Sequence, residues 1–253
     1  MMNLLDGIER AAFAAGEAIL EVYATDFSVA EKSDASPVTV ADGKAEAVIV
    51  AHLARLAPDI PVIAEEQVEA HGVPSQVPPR FWLVDPLDGT KEFIKRNGEF
   101  TVNIALIEHG RPVMGVVGIP AKGIVYGAAG PGTARITDQG GRVRAISARV
   151  CPEAGATVAY SRSHSDSDQL EAFLAARKIA ARISAGSALK FCLIAEGAAD
   201  LYPRFGPTME WDTGAGQAVL EAAGGRVTML DGTPFGYGKP GFRNPGFIAL
   251  GRD

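Results

Sequence analysis

Cysteine is scarce in this chain, with 2 residues among 253. Cys151 and Cys192 lie far apart, and neither has a histidine or a second cysteine at the spacing of a metal site. We therefore expect neither a disulfide framework nor a zinc site. Both cysteines are expected to be reduced residues of the core.

Basic residues and long apolar runs are also limited. The 24 lysines and arginines are outnumbered by 30 aspartates and glutamates, which gives a formal charge of −6. This balance argues against a nucleic-acid-binding surface, although a few local cations would suffice for a small phosphorylated ligand. No segment reaches the roughly 20 apolar residues that a membrane span needs. We expect a cytoplasmic protein with no integral membrane segment.

The residues that are abundant indicate a globular protein with a large core, since 47% of the chain is hydrophobic. Helix and strand patterns alternate in both halves, which favours an α/β or α+β layered fold. We predict a long amphipathic N-terminal helix, a second helix over residues 43–56 with Asp42 as its N-cap, and a loop over 67–80. Residues 1–150 and 151–253 are expected to be two subdomains of one continuous unit.

The most informative segment is Trp82-Leu-Val-Asp-Pro-Leu-Asp-Gly-Thr90. Residues 81–84 are typical of a buried strand, and the segment then supplies two carboxylates, Asp85 and Asp88, separated by a proline and a leucine. Two acids and the Leu87 carbonyl delivered to one point are the oxygen ligands that hard divalent cations prefer. The alternative is a surface turn in which both aspartates accept backbone N–H groups.

Polar residues follow several other predicted strands. Acids end the strands of the first half, whereas bases appear in the second half, and this predicts a metal-binding half and a half that supplies cations and hydrogen bonds. Asp212 precedes an alanine-rich helix and has an alternative role as an acid that complements the helix dipole. The other polar strand ends are Glu65-Glu66, the Ser163-His164 turn, Gly186-Ser187 and Arg204.

Three blocks together resemble the inositol monophosphatase superfamily of magnesium-dependent, lithium-sensitive phosphatases: Glu65-Glu66, residues 82–90 and Trp211-Asp-Thr-Gly-Ala-Gly216. Within the superfamily, the chain is most similar to bacterial CysQ-type 3'(2'),5'-bisphosphate nucleotidases. That similarity is carried by residues 88–103, 161–164, 186–192 and 201–208. It spans nearly the whole chain and is weakest at 67–80 and 128–155.

The resemblance implies an αβαβα sandwich and a site with two or three Mg²⁺ ions. The implied ligands are Glu65, Asp85, the Leu87 carbonyl, Asp88 and Asp212. Because neighbours on a strand point in opposite directions, we expect only one of Glu65 and Glu66 to be a ligand, and the family pattern selects Glu65.

The resemblance also implies roles for residues that are not ligands. Thr90 and Asp42 would act on the attacking water, with Asp42 accepting its proton, and Glu65 belongs to the same catalytic group. The implied substrate contacts are Gly89, Thr90, His164, Ser187, Lys190, Arg204 and Asp212.

The implied reaction is removal of the 3'-phosphate from adenosine 3',5'-bisphosphate, a by-product of sulfate assimilation. Inositol phosphate or fructose bisphosphate hydrolysis is the first alternative, and a non-catalytic partner-binding protein of the same fold is the second. The sequence leaves open whether the protein is a monomer or a homodimer, and whether it associates peripherally with the inner membrane.

Overall fold

The computed structural model describes residues 2–31, 37–161 and 167–253. His164, one of the implied substrate contacts, lies outside the described residues. Among the described residues, no helix is both long enough and apolar enough to cross a membrane.

The described residues form seven α-helices and sixteen strands. The helices are α1 (Met2–Tyr23), α2 (Val40–Leu56), α3 (Glu65–His71), α4 (Thr90–Ile94), α5 (Ser167–Ala175), α6 (Leu189–Ala195) and α7 (Gly214–Ala222). The first nine strands are β1 (Val29–Glu31), β2 (Pro37–Thr39), β3 (Val62–Ala64), β4 (Arg80–Asp88), β5 (Thr101–Glu108), β6 (Arg111–Ile119), β7 (Ile124–Ala128), β8 (Arg135–Asp138) and β9 (Val143–Ala145). The others are β10 (Ala156–Tyr160), β11 (Ile179–Ser184), β12 (Leu201–Arg204), β13 (Thr208–Met209), β14 (Arg226–Met229), β15 (Arg243–Asn244) and β16 (Phe247–Leu250).

Two sheets form the framework. The larger has the strand order β3-β4-β5-β6-β7-β8-β9, in which only the β3–β4 pair is parallel. The smaller has the order β11-β10-β12-β16-β14 and is mixed. The large sheet contains an antiparallel hairpin of β5 and β6, and the apolar runs at 100–107 and 112–119 are typical of such a pair of strands.

Alternating side chains place helices on both faces of each sheet. In β5, Ile104 packs toward α1 and α2, whereas Ala105 packs toward α6 and α7. In β10, Ala159 belongs to the same central core, whereas Val158 contacts Leu174 of α5 on the other face. This period of two gives five layers in the order helix, sheet, helix, sheet, helix. The αβαβα sandwich implied by the sequence is confirmed.

The N-terminal helix is confirmed, but the start of the second helix differs from the prediction. Helix α2 begins at Val40, and its N-cap is Thr39 rather than Asp42. Asp42 instead occupies the third helical position, where its carboxylate accepts from the Thr39 backbone N–H at 2.8 Å. The two residues form a capping box, in which an aspartate at the third helical position replaces the usual glutamate or glutamine.

Three further predictions were wrong. The central strand does not end before its acids, because β4 continues to Asp88 with a register shift between Asp85 and Asp88. This irregularity accommodates Pro86, which lacks the N–H that a regular ladder requires. The predicted loop at 67–80 begins only after α3, and Cys151 is exposed rather than in the core. The subdomain boundary near residue 150 stays a prediction.

Candidate active site

A cavity of about 250 Å³ opens where the end of β4 meets α6 and β12. Ten of the residues singled out in the sequence line it: Glu65, Asp85, Leu87, Asp88, Gly89, Thr90, Ser187, Lys190, Arg204 and Asp212. Asp42 is not part of the lining but contacts Thr90. The structure thus brings together residues that are far apart in the chain, while their roles as ligands and substrate contacts stay predictions.

The end of β4 holds its two aspartates differently. Asp85 is 1% exposed, and its Oδ1 accepts from the Leu87 N–H at 3.0 Å. Asp88 accepts from the Ala188 N–H at 2.7 Å and from the side chains of Thr101 and Asn103 at 3.4 Å. All three donors of Asp88 approach the same oxygen, Oδ2. Asp85 therefore accepts a backbone N–H as a turn residue would, but Asp85 and Asp88 also line the cavity.

Asp42 is enclosed by two threonines. Its Oδ2 accepts from the Thr39 N–H at 2.8 Å and from the Thr39 hydroxyl at 2.9 Å. Its Oδ1 accepts from the Thr90 hydroxyl at 3.3 Å. Asp42 is 2% exposed, so these donors stabilise a carboxylate that is almost removed from solvent. The arrangement links the start of α2 to the cavity through Thr90.

Glu65 and Glu66 begin helix α3 instead of extending strand β3. The strand geometry from which we expected only one of them to be a ligand is therefore absent. Glu65, which the family pattern selects, lines the cavity. The Glu66 N–H donates to Oε2 of Glu46 on α2 at 2.8 Å. Glu46 thus supplies the side-chain cap that Ala64, the N-cap residue of α3, does not provide.

We call Glu65, Asp85, Asp88 and Asp212 the acidic wall of the cavity. Their negative charges repel one another. Burial, followed by repulsion from Glu65, Asp88 and Asp212, raises the pKa of Asp85 well above its usual value. Burial and repulsion from Asp88 and Glu65 raise the pKa of Asp212 in the same way. Because these buried carboxylates repel one another, a cation among them would be strongly stabilised.

Two buried cations, Lys190 and Arg204, also line the cavity and are called its cationic wall. Lys190 is 4% exposed, and burial lowers its pKa to about 8 despite the nearby Asp88 carboxylate. Its ammonium donates to the Ser187 carbonyl at 2.7 Å and to the Ala185 carbonyl at 3.2 Å. Arg204 is 5% exposed and donates from Nη2 to the Pro207 carbonyl at 3.1 Å. Within the described part of the chain, the buried Nε of Arg204 has no acceptor.

The donors suit a hard divalent cation. No three aspartate, glutamate, histidine or cysteine side chains of the described residues converge closely enough to form a ready-made cation site. The fit therefore rests on the kind of ligand, since Glu65, Asp85, Asp88, Asp212 and Leu87 line one cavity. Carboxylate and carbonyl oxygens are the donors that such cations prefer. Their mutual repulsion is the second observation that favours a cation there.

Sequence reasoning missed several residues that support this site. Thr39 carries a detectable signal, because a threonine followed three residues later by an acid is typical of a capping box. Thr101 and Asn103 also carry one, since polar residues two apart in an apolar strand share one face. Glu46 carries none, because its contact with Glu66 spans 20 residues and depends on how α2 packs beside α3.

Comparison with known proteins shows the family of this chain. The model of the inositol monophosphatase family matches residues 2–246. The 3'(2'),5'-bisphosphate nucleotidase CysQ of Escherichia coli (strain K12) is 49% identical over 247 residues, which cover 96% of this chain and 98% of the relative.

Solved structures agree as well. The crystal structure of CysQ from Bacteroides thetaiotaomicron is 38% identical, has a TM-score of 0.81, and is matched over 100% of this chain and 98% of that one. An IMPase from Thermotoga maritima, at 23% identity, has a TM-score of 0.79 over 99% of this chain and 92% of its own, and shows the fold alone. The chain therefore belongs to the inositol monophosphatase family.

Proposed function

We propose that this protein is a Mg²⁺-dependent phosphatase that hydrolyses the 3'-phosphate of adenosine 3',5'-bisphosphate to give AMP and phosphate. One observation carries the proposal: a single cavity has an acidic wall suited to metal and a wall with two buried cations. The CysQ relatives, named 3'(2'),5'-bisphosphate nucleotidases, support the choice of substrate. The proposed role is to remove the by-product of sulfate assimilation and sulfotransfer.

The acidic wall would hold the metal. Glu65, Asp85, Asp88, Asp212 and the Leu87 carbonyl are the proposed ligands of two or three Mg²⁺ ions. When bound, the ions supply Lewis-acid chemistry that neutralises the phosphate dianion and makes water a better nucleophile. The protein's own contribution is to fix the ligands, which the backbone donors to Asp85 and Asp88 do.

Thr90 and Asp42 would handle the proton of the attacking water. The Thr90 hydroxyl donates to Oδ1 of Asp42, so its lone pairs are free to accept a proton from water. A proton passed to the Thr90 oxygen is replaced by the release of its own proton to Asp42. Because the other oxygen of Asp42 is held by Thr39, Oδ1 is the acceptor that this relay uses.

The cationic wall would recognise the phosphate that does not react. Arg204 is the strongest candidate, because its buried Nε lacks an acceptor among the described residues and an unpaired buried donor is costly. Lys190 lies on the same wall and contributes a second positive charge. A phosphate placed there would satisfy both groups with charge-assisted hydrogen bonds.

The test compares two substrates in one variant. A charge-assisted hydrogen bond contributes about 1.5–3 kcal/mol, so Arg204→Ala should reduce kcat/KM for adenosine 3',5'-bisphosphate by about 10- to 150-fold. Hydrolysis of a 3'-monophosphate, which lacks the distal phosphate, should barely change. Arg226→Ala, which removes an arginine paired with Asp253 away from the cavity, is the control and should affect neither substrate. Equal losses on the two substrates would assign Arg204 a structural role.

The rival functions give different outcomes. Preferred hydrolysis of inositol 1-phosphate or fructose 1,6-bisphosphate in a substrate panel would replace the nucleotidase proposal with one of the other superfamily activities. Absence of phosphate release from every substrate, with and without Mg²⁺, would favour the non-catalytic protein.

A further inference from the structure

A turn at residues 186–188, just before helix α6, forms hydrogen bonds with the end of strand β4. The Ala188 N–H donates to Oδ2 of Asp88 at 2.7 Å. The Ser187 hydroxyl lies 2.9 Å from the Asp88 carbonyl and 2.9 Å from the Glu99 carbonyl. The Gly186 N–H donates to the Glu99 carboxylate at 2.9 Å. Both the backbone and the side chain of Asp88 are thus held by one turn from the other half of the chain.

The hydroxyl proton of Ser187 is already engaged. A serine hydroxyl has one proton to donate, and here two carbonyl acceptors lie within hydrogen-bond distance of it. A substrate phosphate would have to displace one of these carbonyls to receive that proton. The observed bonds therefore make Ser187 a structural link to Asp88.

The conformation of the turn supports this reading. Ser187 has φ of 52°, a left-handed conformation that is uncommon for residues other than glycine. Strain of this kind persists where surrounding contacts enforce it and is frequent at functional sites. Gly89, the residue after Asp88, packs closely against Ser187, since a Cβ on Gly89 would lie 2.1 Å from the Ser187 hydroxyl oxygen. Gly89 itself has φ of 91°, so a side chain at this position is excluded by both conformation and space.

We propose that Ser187 is a positioning residue for the metal ligand Asp88. The turn at 186–188 donates hydrogen bonds to the backbone carbonyl of Asp88 and to its Oδ2, and these bonds orient the Asp88 carboxylate. None of them uses Oδ1. The inference rests on the proposed function, because it takes Asp88 as a ligand of a divalent cation.

Metal binding without substrate is the direct test. In calorimetric titration of the protein with Mg²⁺ alone, Ser187→Ala should raise the dissociation constant about three- to tenfold, the range expected for one lost hydrogen bond. At saturating Mg²⁺, the KM for adenosine 3',5'-bisphosphate should change less than twofold. An increase in KM with unchanged Mg²⁺ affinity would overturn the proposal and restore Ser187 as a substrate contact.

Two comparison variants separate the causes. Ser187→Gly also removes the hydroxyl but relieves the left-handed strain, so it should match Ser187→Ala in Mg²⁺ affinity while unfolding at a higher temperature. Recovery of normal Mg²⁺ affinity in Ser187→Gly would mean that strain, not the hydroxyl, was responsible, and would also overturn the proposal. Arg204→Ala should show the opposite pattern, with weaker substrate binding and normal Mg²⁺ affinity.

Failure of this inference is distinguishable from failure of the proposed function. If the wild-type protein binds Mg²⁺ and hydrolyses the bisphosphate but Ser187→Ala binds Mg²⁺ equally well, only the role of Ser187 is wrong. If the wild-type protein neither binds Mg²⁺ nor releases phosphate, the proposed function fails and the inference falls with it.

Discussion

The Thr90 hydroxyl donates to Oδ1 of Asp42 at 3.3 Å, although the two residues are 48 positions apart in the chain. The contact joins the first turn of α4, at the end of the central strand, to the first turn of α2. Thr39 completes the arrangement by occupying the other oxygen of Asp42. A buried carboxylate with one oxygen fixed and the other directed at a threonine hydroxyl is arranged to accept a proton at a defined atom.

Thr39 should therefore influence catalysis through Asp42. Thr39→Val keeps the shape of the side chain but removes the hydroxyl bond, so kcat should fall by about tenfold, corresponding to about 1.4 kcal/mol. KM should stay near the wild-type value, since Thr39 does not line the cavity. Thr39→Ser restores the hydroxyl and should recover most of the activity. Steady-state kinetics at a temperature where all three proteins are folded would check this, and an equal loss in the serine variant would contradict it.

Asp88→Asn tests the acidic wall. The amide oxygen can still accept from the Ala188 N–H, so the fold should be preserved. Phosphatase activity should fall by orders of magnitude, because a neutral amide is a poorer ligand for Mg²⁺ than a carboxylate. Phosphate release is measured over a range of Mg²⁺ concentrations, with thermal unfolding as the control for the fold. Near-wild-type activity at saturating Mg²⁺ would show that Asp88 is only a turn residue.

Glu46 should make stability depend on pH. Burial, together with repulsion from Glu66 and Glu65, raises the pKa of Glu46 to about 7, from the usual value of 4.5. Between these two values the unfolded chain releases the proton and the folded chain keeps it, so the free energy of unfolding falls as pH rises from 4.5 to 7. The side chain in Glu46→Gln does not ionise, but it retains an oxygen that can accept a hydrogen bond from the Glu66 N–H.

The variant should consequently gain stability relative to the wild type across that pH range, on the order of 1–2 kcal/mol after allowing for solvent screening. Chemical denaturation at constant ionic strength measures the difference between the two proteins at each pH. Glu21→Gln, at an exposed position on α1, is the control for removing a carboxylate from the surface. A constant difference for Glu46→Gln would contradict the raised pKa.

Asp200 should stabilise the fold without acting in the site. Its carboxylate accepts from Nε and Nη2 of Arg149 at 2.8 Å each and from the Thr157 N–H at 2.7 Å. Although burial raises the pKa of Asp200, these donors hold it below the usual value. Asp200→Asn should lower the free energy of unfolding by about 1.5–3 kcal/mol, with unchanged kcat/KM below the melting temperature.

Asp253→Asn provides the matched control for Asp200, because it removes a carboxylate from an exposed ion pair with Arg226. Its effect on the free energy of unfolding should stay within about 1 kcal/mol. A similar small effect of Asp200→Asn would show that the Arg149 pair contributes little.

The sequence by itself determined the elements and the chemical character of the site. Apolar residues at helical spacing placed α1, and apolar runs placed the central hairpin, because burying one face of an element leaves a local pattern. The acids at Asp85 and Asp88 also stood out locally, since two carboxylates follow an apolar run, but the same pattern is typical of a turn. Local patterns failed at β4 and α3, where a bulge and the docking of Glu46 against Glu66 decided the outcome.

Only the tertiary structure decided which groups meet. The Ala188 N–H reaches Asp88 across 100 residues, and the Thr90 hydroxyl reaches Asp42 across 48. These contacts depend on how two sheets and the helices between them pack, and such packing depends on the whole set of buried side chains rather than on any short segment. For the same reason the sequence presented Ser187 as one more polar residue after a strand, whereas packing places its hydroxyl against the carbonyl of Asp88.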